Sequence, residues 1–532
     1  MTELSQVAVI VRPEADNVAV VLADRLAAGT PLRLAGRLVT LPQALANGQS
    51  FALREIVRGA PVISLGAPFG VARRRIPAGS RVDAANVAVE LPRLAPSTRR
   101  TRRPAAAPRG PRARGAQFNG FVRPDGQVGV RNYVGIVTSG MCAASEVREI
   151  AQRGQREVYS RAKYPNVDGV VAIVQESGCG MPDGRAVALL NRLLAGCLNH
   201  PNLGAALYVD LGCGKTCLEC SVPIHRQLLP AYSQRVMNLG IQASGGTRKT
   251  IARGLEMLEL ALGRANRAAR QPVSADRLCL GVKCGGSDRW SGISANPALG
   301  WAADQIVAGG GGVLIGEIPE LQGAAHRQLM SRAIDPRIAR KLDRAQHRYQ
   351  RYVEQFGDDF RENPSPGNIA GGLANVYLKS LGALAKAGES PLSDVLDYGE
   401  PRGDRRGLMV VYSPGYDQLS VPALFMAGAQ IVAFTTGRGT GIGSALGPVL
   451  KIASNSALAA KNEDIDVDAG VILQPAADGA AGDGLHRAAI ERVGEEILDR
   501  VLAIANGEFV PRAEASGLHQ EFKVWESLWP AL

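Results

Sequence analysis

Apolar runs alternate with amphipathic stretches over most of the chain beyond residue 118. Short apolar runs occur at 133–139, 169–175 and 205–211, and charged or amphipathic segments of helical length separate them, at 144–162 and 185–199. Apolar runs bounded by turns are typical of strands buried on both faces, and their alternation with helices predicts βαβ units. Further runs of this kind end in Gly-rich turns, at 278–283, 311–317, 407–413 and 429–436. The pattern predicts the α/β fold class, with parallel-sheet domains.

The N-terminal part has a different pattern. Residues 1–95 contain short strand-like runs separated by Pro and Gly turns, which predicts a small, mainly β module. Residues 96–117 are rich in Pro, Ala and Arg and have no apolar periodicity, so we predict a disordered linker there. Two α/β domains, 118–270 and 271–532, complete the predicted organisation.

Charge and hydropathy limit the partners. The 532 residues carry a formal charge of +12, but seven arginines lie in the predicted linker, without aromatic residues for base stacking. We therefore expect no nucleic-acid partner. No apolar run approaches the roughly 20 residues of a membrane helix, and no basic segment precedes an apolar run at the N-terminus. We expect no membrane partner and a cytoplasmic location.

Eight cysteines lie between residues 142 and 284, and four of them follow strand-like runs beside glycine. Carboxyl ends of parallel strands meet at one edge of a sheet, where ligands bind. We predict that these four thiols converge on one site that holds a soft or borderline divalent metal or an iron–sulfur cluster. The four are Cys142, Cys179, Cys213 and Cys284. Two alternatives stay open: small cysteines buried in turns, and a triad of Cys213, Cys217 and Cys220.

Several long motifs give the chain a strong resemblance to one family. They include KCGGSDRWSGISANPALG (283–300), GEIPELQGA (316–324), ENPSPGNIAGG (362–372) and FTTGRGTGIG (434–443). With these motifs the chain resembles the altronate/galactarate dehydratases, and residues 1–95 look like their SAF-type module. The resemblance implies an iron-linked lyase that removes water from a sugar acid to form a 2-keto-3-deoxy acid.

Such a reaction needs cations to stabilise a dianionic intermediate, a base, an acid and a carboxylate clamp. We predict Lys379, Lys283 and Gln175 as catalytic residues, a lysine acting as base only if its pKa is depressed. The predicted partners of a small anionic hydroxy acid are Arg131, Asn132, Ser287, Asp288, Asn296, Asn363, Asn368, Thr435, Thr436, Arg438 and Lys451.

Two positions depart from the family pattern. Gln175 stands where the family carries His, and Leu378 stands where it carries an acidic residue. Both changes remove groups that transfer protons, which predicts little activity on altronate or galactarate. Elimination on a substrate such as sulfolactate and a non-catalytic, carboxylate-binding homologue remain alternatives. We also expect a homo-oligomer.

Overall fold

The computed structural model describes residues 4–34, 37–91, 115–216, 234–357, 359, 363–474, 487–519, 521 and 525, and the account below concerns those residues. The predicted linker lies outside them up to residue 114. Cys217 and Cys220 of the alternative triad also lie outside the described residues.

The N-terminal module consists of short antiparallel strands. Its sheets have the orders β1-β2-β7-β10 and β11-β9-β8, with two further pairs, β3-β6 and β4-β5. Exposed and buried residues alternate in β4, so one face of this strand packs on a small core. The prediction of a small, mainly β module is confirmed. The elements are α1 Leu4–Val7, β1 Ala8–Val9, β2 Val18–Val21, β3 Arg25–Leu26, β4 Pro31–Leu34, β5 Arg37–Thr40, β6 Leu45–Ala46, β7 Ser50–Ala52, β8 Pro61–Ser64, β9 Ala67–Ala72, β10 Arg81–Val82 and β11 Val87–Ala88.

The second domain contains a four-stranded parallel sheet of order β15-β14-β16-β17. Every residue of β14 and β16 is buried, because helices cover the sheet. Beside it lies a small antiparallel sheet of order β13-β12-β18. The elements are β12 Gln117–Val122, β13 Val128–Gly129, β14 Tyr133–Thr138, α2 Ala144–Arg153, β15 Gly169–Ile173, α3 Arg185–Leu198, β16 Leu203–Asp210, β17 Val236–Gly240, α4 Ile241–Ser244, α5 Thr247–Ala265 and β18 Gln271–Ser274.

The C-terminal domain is built on a seven-stranded parallel sheet of order β21-β22-β20-β19-β23-β24-β25. Its central strands are fully buried, which confirms the parallel-sheet α/β prediction. The strands are β19 Cys279–Cys284, β20 Gly312–Ile315, β21 Leu392–Leu396, β22 Gly407–Val411, β23 Ile431–Thr436, β24 Val449–Ala453 and β25 Val467–Asp468. The helices are α6 Ala295–Ala308, α7 Gly323–Ser331, α8 Pro336–Glu354, α9 Pro366–Ala370, α10 Val376–Ala385, α11 Asp417–Met426, α12 Ser456–Lys461, α13 Arg487–Asn506 and α14 Arg512–Ala515.

Specific polar contacts attach the N-terminal module to the C-terminal domain. The indole nitrogen of Trp290 donates to Asn47 Oδ1 at 2.8 Å, and the side-chain amide of Asn375 donates to the carbonyl of Phe69 at 2.9 Å. Both contacts come from segments that flank the carboxyl edge of the large sheet. The module therefore supports the loops at that edge. Among the helices of the described ranges, none has the length and apolar character needed to cross a bilayer.

Candidate active site

Lys283 is the centre of a buried ionic cluster at the carboxyl edge of the seven-stranded sheet. It lies in β19, and its ammonium contacts the carboxylate of Glu317, which follows β20. The same nitrogen lies 3.0 Å from Asp417 Oδ1 and donates to the carbonyl of Gly415 at 2.9 Å. Lys386 Nζ lies 2.8 Å from the other Glu317 oxygen. Three adjacent strands thus supply one charge network.

The backbone of Glu317 has a left-handed conformation, with φ of 69°. This conformation is costly for residues other than glycine and concentrates at functional sites. The Glu317 amide donates to Ser413 Oγ at 3.0 Å, which fixes the turn against the neighbouring strand end. The turn directs the carboxylate to the two lysines.

The ion pairs of this network favour the charged forms of Lys283 and Glu317. Burial alone would lower the pKa of Lys283, but the carboxylates of Glu317, Asp417 and Glu320 raise that pKa well above its ordinary value. Burial alone would raise the pKa of Glu317, but the ammonium groups of Lys283 and Lys386 hold that pKa below its ordinary value. The carboxylates thus favour the protonated form of Lys283, and the depressed pKa that a base role for Lys283 would require is not found.

A second ion pair lies beside the first. Lys379 Nζ, on α10, is 2.7 Å from Glu320 Oε1 and donates to the amide oxygens of Asn363 and Asn368 at 3.3 Å each. The other oxygen of Glu320 is buried and accepts no hydrogen bond from the described residues. A Cβ at Gly415 would lie only 3.1 Å from Glu320 Oε1, the oxygen paired with Lys379, so glycine lets the backbone pack closely against this carboxylate.

A chain of polar contacts connects Lys379 to the end of β19. Asn368 accepts from Lys379 through its amide oxygen and donates to the carbonyl of Ser287 through its nitrogen, at 2.7 Å. Ser287 Oγ lies 2.9 Å from Cys284 Sγ. The structure thus brings together six predicted site residues: Lys283, Cys284, Ser287, Asn363, Asn368 and Lys379.

The cluster reaches the surface next to Arg438. The exposed Arg438 side chain lies beside two glycines, Gly286 in the turn after β19 and Gly367 in the first turn of α9. A Cβ added at Gly286 would lie 3.5 Å from Arg438 Cβ, and a Cβ added at Gly367 would lie 3.4 Å from Arg438 Nε. Its guanidinium makes no hydrogen bond or ion pair with any other part of the described chain. Arg438 is therefore available to a carboxylate at the surface beside the cluster, which we call the entrance of the site.

The predicted substrate-binding role of Arg131 and Asn132 is wrong. Arg131 makes two hydrogen bonds to the Glu514 carboxylate, at 2.6 and 2.8 Å, and donates to the carbonyls of Ile504 and Phe509. The Asn132 amide donates to the carbonyls of Asn166 and Ala265. Both side chains are buried, and their donors bind the chain itself. Arg131 joins the second domain to the C-terminal helices, whereas Asn132 bonds within the second domain.

Four further predicted binding residues have structural roles. Asp288 accepts from Ser291 and Ser454, and burial raises its pKa despite these bonds. Asn296 and Thr435 bind each other at 2.6 Å in the core. Thr436 Oγ1 accepts from the Gly439 amide and closes a turn. None of these four has a free group at the cluster.

Lys451 lies in β24, two strands away from Lys283. Its ammonium is buried without a hydrogen-bond partner in the described chain, 3.9 Å from the nearest carboxylate, Asp464. Burial lowers its pKa. The contacts of Lys451 do not connect it to the Lys283 network, so the structure does not group it with the other predicted site residues.

Gln175 follows β15 in the second domain, and its amide bonds both its own turn and the turn after β14. Its nitrogen donates to the carbonyls of Ser139 and Ser177 at 3.1 Å each, and its oxygen accepts from the Ser177 amide at 2.5 Å. The side chain is fully buried. These contacts give Gln175 a structural role in place of the predicted catalytic one.

The four predicted thiols do not share one sheet edge. Cys142, Cys179 and Cys213 are exposed in turns after strands of the four-stranded sheet, whereas Cys284 is buried at the end of β19 in the other sheet. Among the described residues, no three His, Cys, Asp or Glu side chains are arranged to hold a metal ion. The prediction that all four sulfurs converge on one site is therefore wrong, because Cys284 lies in the other sheet; iron remains a prediction.

Leu378 lies on the apolar side of α10, next to Lys379. Its side chain is 1% exposed and belongs to the main hydrophobic core. A carboxylate here would face the core and not the ion pairs. The interpretation of Leu378 as a lost proton-transfer group is therefore wrong.

Sequence reasoning missed the acidic half of the site. Glu317, Glu320, Lys386 and Asp417 were not among the predicted residues, although three of them follow strands β20 and β22 of the predicted sheet. The signal was present: GEIPE places two acids three residues apart directly after an apolar run. Charged residues at the carboxyl ends of buried strands are candidates for a site in any parallel sheet.

The arrangement combines a fixed cation, a buried carboxylate with one unused oxygen, and an exposed guanidinium. Such a set can remove a proton from carbon, stabilise the resulting anion and bind a carboxylate group. The fold and site together define an α/β enzyme suited to acid–base chemistry on an anionic substrate.

Comparison with known proteins identifies the family. Residues 7–90, 120–266 and 275–529 match the altronate/galactarate dehydratase SAF domain, the D-galactarate dehydratase/altronate hydrolase second domain and the D-galactarate/altronate dehydratase C-terminal domain. The chain is 35% identical to altronate dehydratase of Escherichia coli K12 over 494 residues, which cover 93% of this chain and 94% of the relative. The chain belongs to the altronate/galactarate dehydratase family, whose named activity is that of a hydro-lyase.

Two other relatives align with this chain over most of their own length. Galactarate dehydratase (L-threo-forming) of Escherichia coli K12 is 33% identical over 96% of this chain and 95% of the relative. The beta subunit of (2R)-sulfolactate sulfo-lyase from Chromohalobacter salexigens is 27% identical over 77% of this chain and 97% of the relative. The sulfo-lyase subunit is the more distant of the two.

Proposed function

We propose that this chain removes water from a sugar acid of the aldonate or aldarate class and forms a 2-keto-3-deoxy acid. The observation that carries the proposal is the buried Lys283 cation beside Glu320, whose carboxylate has an unused oxygen. The 35% and 33% identity to altronate and galactarate dehydratases, over 93% and 96% of the chain, supports the substrate class.

Glu320 is the proposed base. Its Oε2 is buried and accepts no hydrogen bond from the described chain, so this oxygen has no protein partner to compete with a substrate proton. It takes the C2 proton of the substrate, and the electron pair of that C–H bond moves into the carboxylate to form a dianion.

Lys283 is the proposed stabiliser of this dianion. Because neighbouring carboxylates keep the ammonium protonated, it does not take part in proton transfer. A fixed cation in a site with little water is worth more than one in solution, since it needs no reorganisation during the reaction. Arg438 binds a substrate carboxylate at the entrance.

Lys379 is the proposed acid. Collapse of the dianion breaks the C3–O bond, and the Lys379 ammonium supplies the proton with which the hydroxide leaves as water. Glu320 then returns its proton to Lys379 across their 2.7 Å contact, which resets the pair. The enol product takes up a proton at C3 and releases one from its hydroxyl to become the 2-keto-3-deoxy acid.

Iron and a homo-oligomeric state remain proposals beside this one. Metal and sulfide analysis of protein purified anaerobically tests whether iron is bound. Light scattering of the purified full chain tests the oligomeric state. Sulfolactate elimination is not favoured, because the sulfo-lyase relative is more distant than the sugar-acid dehydratases. The intact charge network argues against a non-catalytic homologue.

The test is a substrate panel with matched variants. The purified full chain is incubated with altronate, galactarate and other aldonates and aldarates, and with sulfolactate, while keto-acid formation and sulfite release are measured. We expect keto acid from at least one sugar acid. Glu320→Gln should lower kcat by about 10²- to 10⁴-fold, whereas the control Glu256→Gln, on an exposed face of α5, should not. No keto acid from any sugar acid, or full activity of Glu320→Gln, would contradict the proposal.

A further inference from the structure

Gln346 connects helix α8 to the turn that carries the proposed base. Glu320 is the last residue of this turn, the 3₁₀ helix Ile318–Glu320 after β20. The Gln346 amide nitrogen donates to the carbonyl of Ile318 at 2.9 Å and to the carbonyl of Leu321 at 2.6 Å. These carbonyls lie on either side of Glu320 in the chain. One side chain from a distant helix thus holds both ends of the turn.

A second glutamine fixes the orientation of this amide. Gln322 Nε2 donates to Gln346 Oε1 at 2.7 Å, so the Gln346 amide both donates and accepts. Both side chains are buried. A buried polar network in which each group has its partners is rigid, because any other orientation leaves a polar group unpaired. The Gln346 amide therefore holds the turn in one position.

The same network reaches the Lys379 side of the ion pair. The backbone amide of Gln322 donates to Ser380 Oγ at 3.1 Å, and Ser380 follows Lys379 on α10. The network therefore bonds to the segments that carry both members of the 2.7 Å pair between Lys379 and Glu320. Within the described chain, the Gln346 side chain bonds only to the turn and to Gln322, so it acts on the pair through Glu320.

We propose that Gln346 is a positioning residue, which holds the Glu320 carboxylate against Lys379 for proton transfer. This inference rests on the proposed function, in which Glu320 takes a proton and Lys379 supplies one. Proton transfer needs heavy atoms about 2.6–3.2 Å apart, and a misplacement of about 1 Å can lower a rate about 10²-fold. Gln346 should therefore affect kcat much more than KM.

Steady-state kinetics of the full chain test this inference. Gln346→Met keeps the approximate size of the side chain but removes its three hydrogen bonds. It should lower kcat by about 10-fold or more and change KM much less. The control Gln350→Met makes the same substitution one turn further along α8, at an exposed residue whose amide donates to Glu354, and should keep kcat.

Gln346→Glu adds a readout that a general loss of stability would not change. A protonated carboxyl group can donate to one of the two carbonyls, whereas an ionised one can donate to neither. The kcat of Gln346→Glu relative to that of the unmodified chain should therefore fall reversibly as the pH rises. Circular dichroism checks that each variant is folded, and Gln346→Glu at high pH takes the place of Gln346→Met if the latter does not fold.

Crystal structures of the variants separate a failure of this inference from a failure of the proposed function. The proposed function fails if the unmodified chain forms no keto acid from any sugar acid. Whether or not it does, the distance from Lys379 Nζ to Glu320 Oε1 in Gln346→Met should increase from 2.7 Å to more than about 3.5 Å. An unmoved turn with this contact intact, or equal kcat values in Gln346→Met and Gln350→Met, would overturn the inference.

Discussion

The Glu317→Gln substitution tests the ionic cluster most directly. It keeps the shape of the side chain but removes the one carboxylate that contacts both Lys283 and Lys386. Lys283 retains Asp417 at 3.0 Å. Lys386 is fully buried and makes no other ion pair in the described chain. The substitution therefore leaves one buried ammonium without a counterion.

The magnitude follows from the cost of an unpaired buried charge. Removing one partner of a buried pair destabilises a protein by about 3–5 kcal/mol. The C-terminal family match spans about 255 residues, and at about 2.1 cal/mol/K per residue its unfolding entropy is about 0.5 kcal/mol/K. The expected fall in Tm of the C-terminal domain is therefore about 6–9 °C.

Scanning calorimetry of the full chain, which separates domain transitions, measures this shift. Lys386→Met in the Glu317→Gln background removes the unpaired ammonium, so the double variant should recover a large part of the lost Tm. Glu256→Gln is the matched control for the loss of an exposed carboxylate. A fall of less than 2 °C in Glu317→Gln would refute the reasoning, and so would a double variant in which the two effects simply add.

Three further predictions concern acid stability, the core and the entrance. The pKa of Glu317 in the folded protein lies below its ordinary value of 4.5. The stabilisation that ionised Glu317 gives is therefore present above pH 4.5 and is lost as the pH falls below 4.5. Acid unfolding followed by circular dichroism should show this loss of stability in the unmodified protein and not in Glu317→Gln. Leu378→Glu places a carboxylate in the apolar core and should lower the Tm by several degrees without creating activity. The control Leu378→Met should change the free energy of unfolding by less than about 1.5 kcal/mol. A stable Leu378→Glu variant with new activity would contradict the structure. Arg438→Ala should raise KM for a sugar acid about 10-fold or more and change kcat less, and an unchanged KM in steady-state assays would exclude Arg438 as the clamp.

Apolar periodicity alone was sufficient to predict the α/β class and the N-terminal β module. The runs at 133–139 and 429–436 correspond to strands Tyr133–Thr138 and Ile431–Thr436, because a strand buried on both faces must be apolar along its whole length. The predicted lysines Lys283 and Lys379 also lie in the cluster, and Lys283 belongs to the family motif at 283–300.

Tertiary structure decided which polar residues share a site. The sequence shows that four cysteines follow strands, but only the pairing of those strands assigns Cys142 and Cys284 to different sheets. Likewise, Arg131 has the residue type of a carboxylate clamp, yet its partner Glu514 lies 383 positions away. A side chain's hydrogen-bond partners depend on contacts between distant segments, and local pattern carries no information about them. The same limit explains why the Glu317 carboxylate, which sets the charge of Lys283, emerged only from the folded chain.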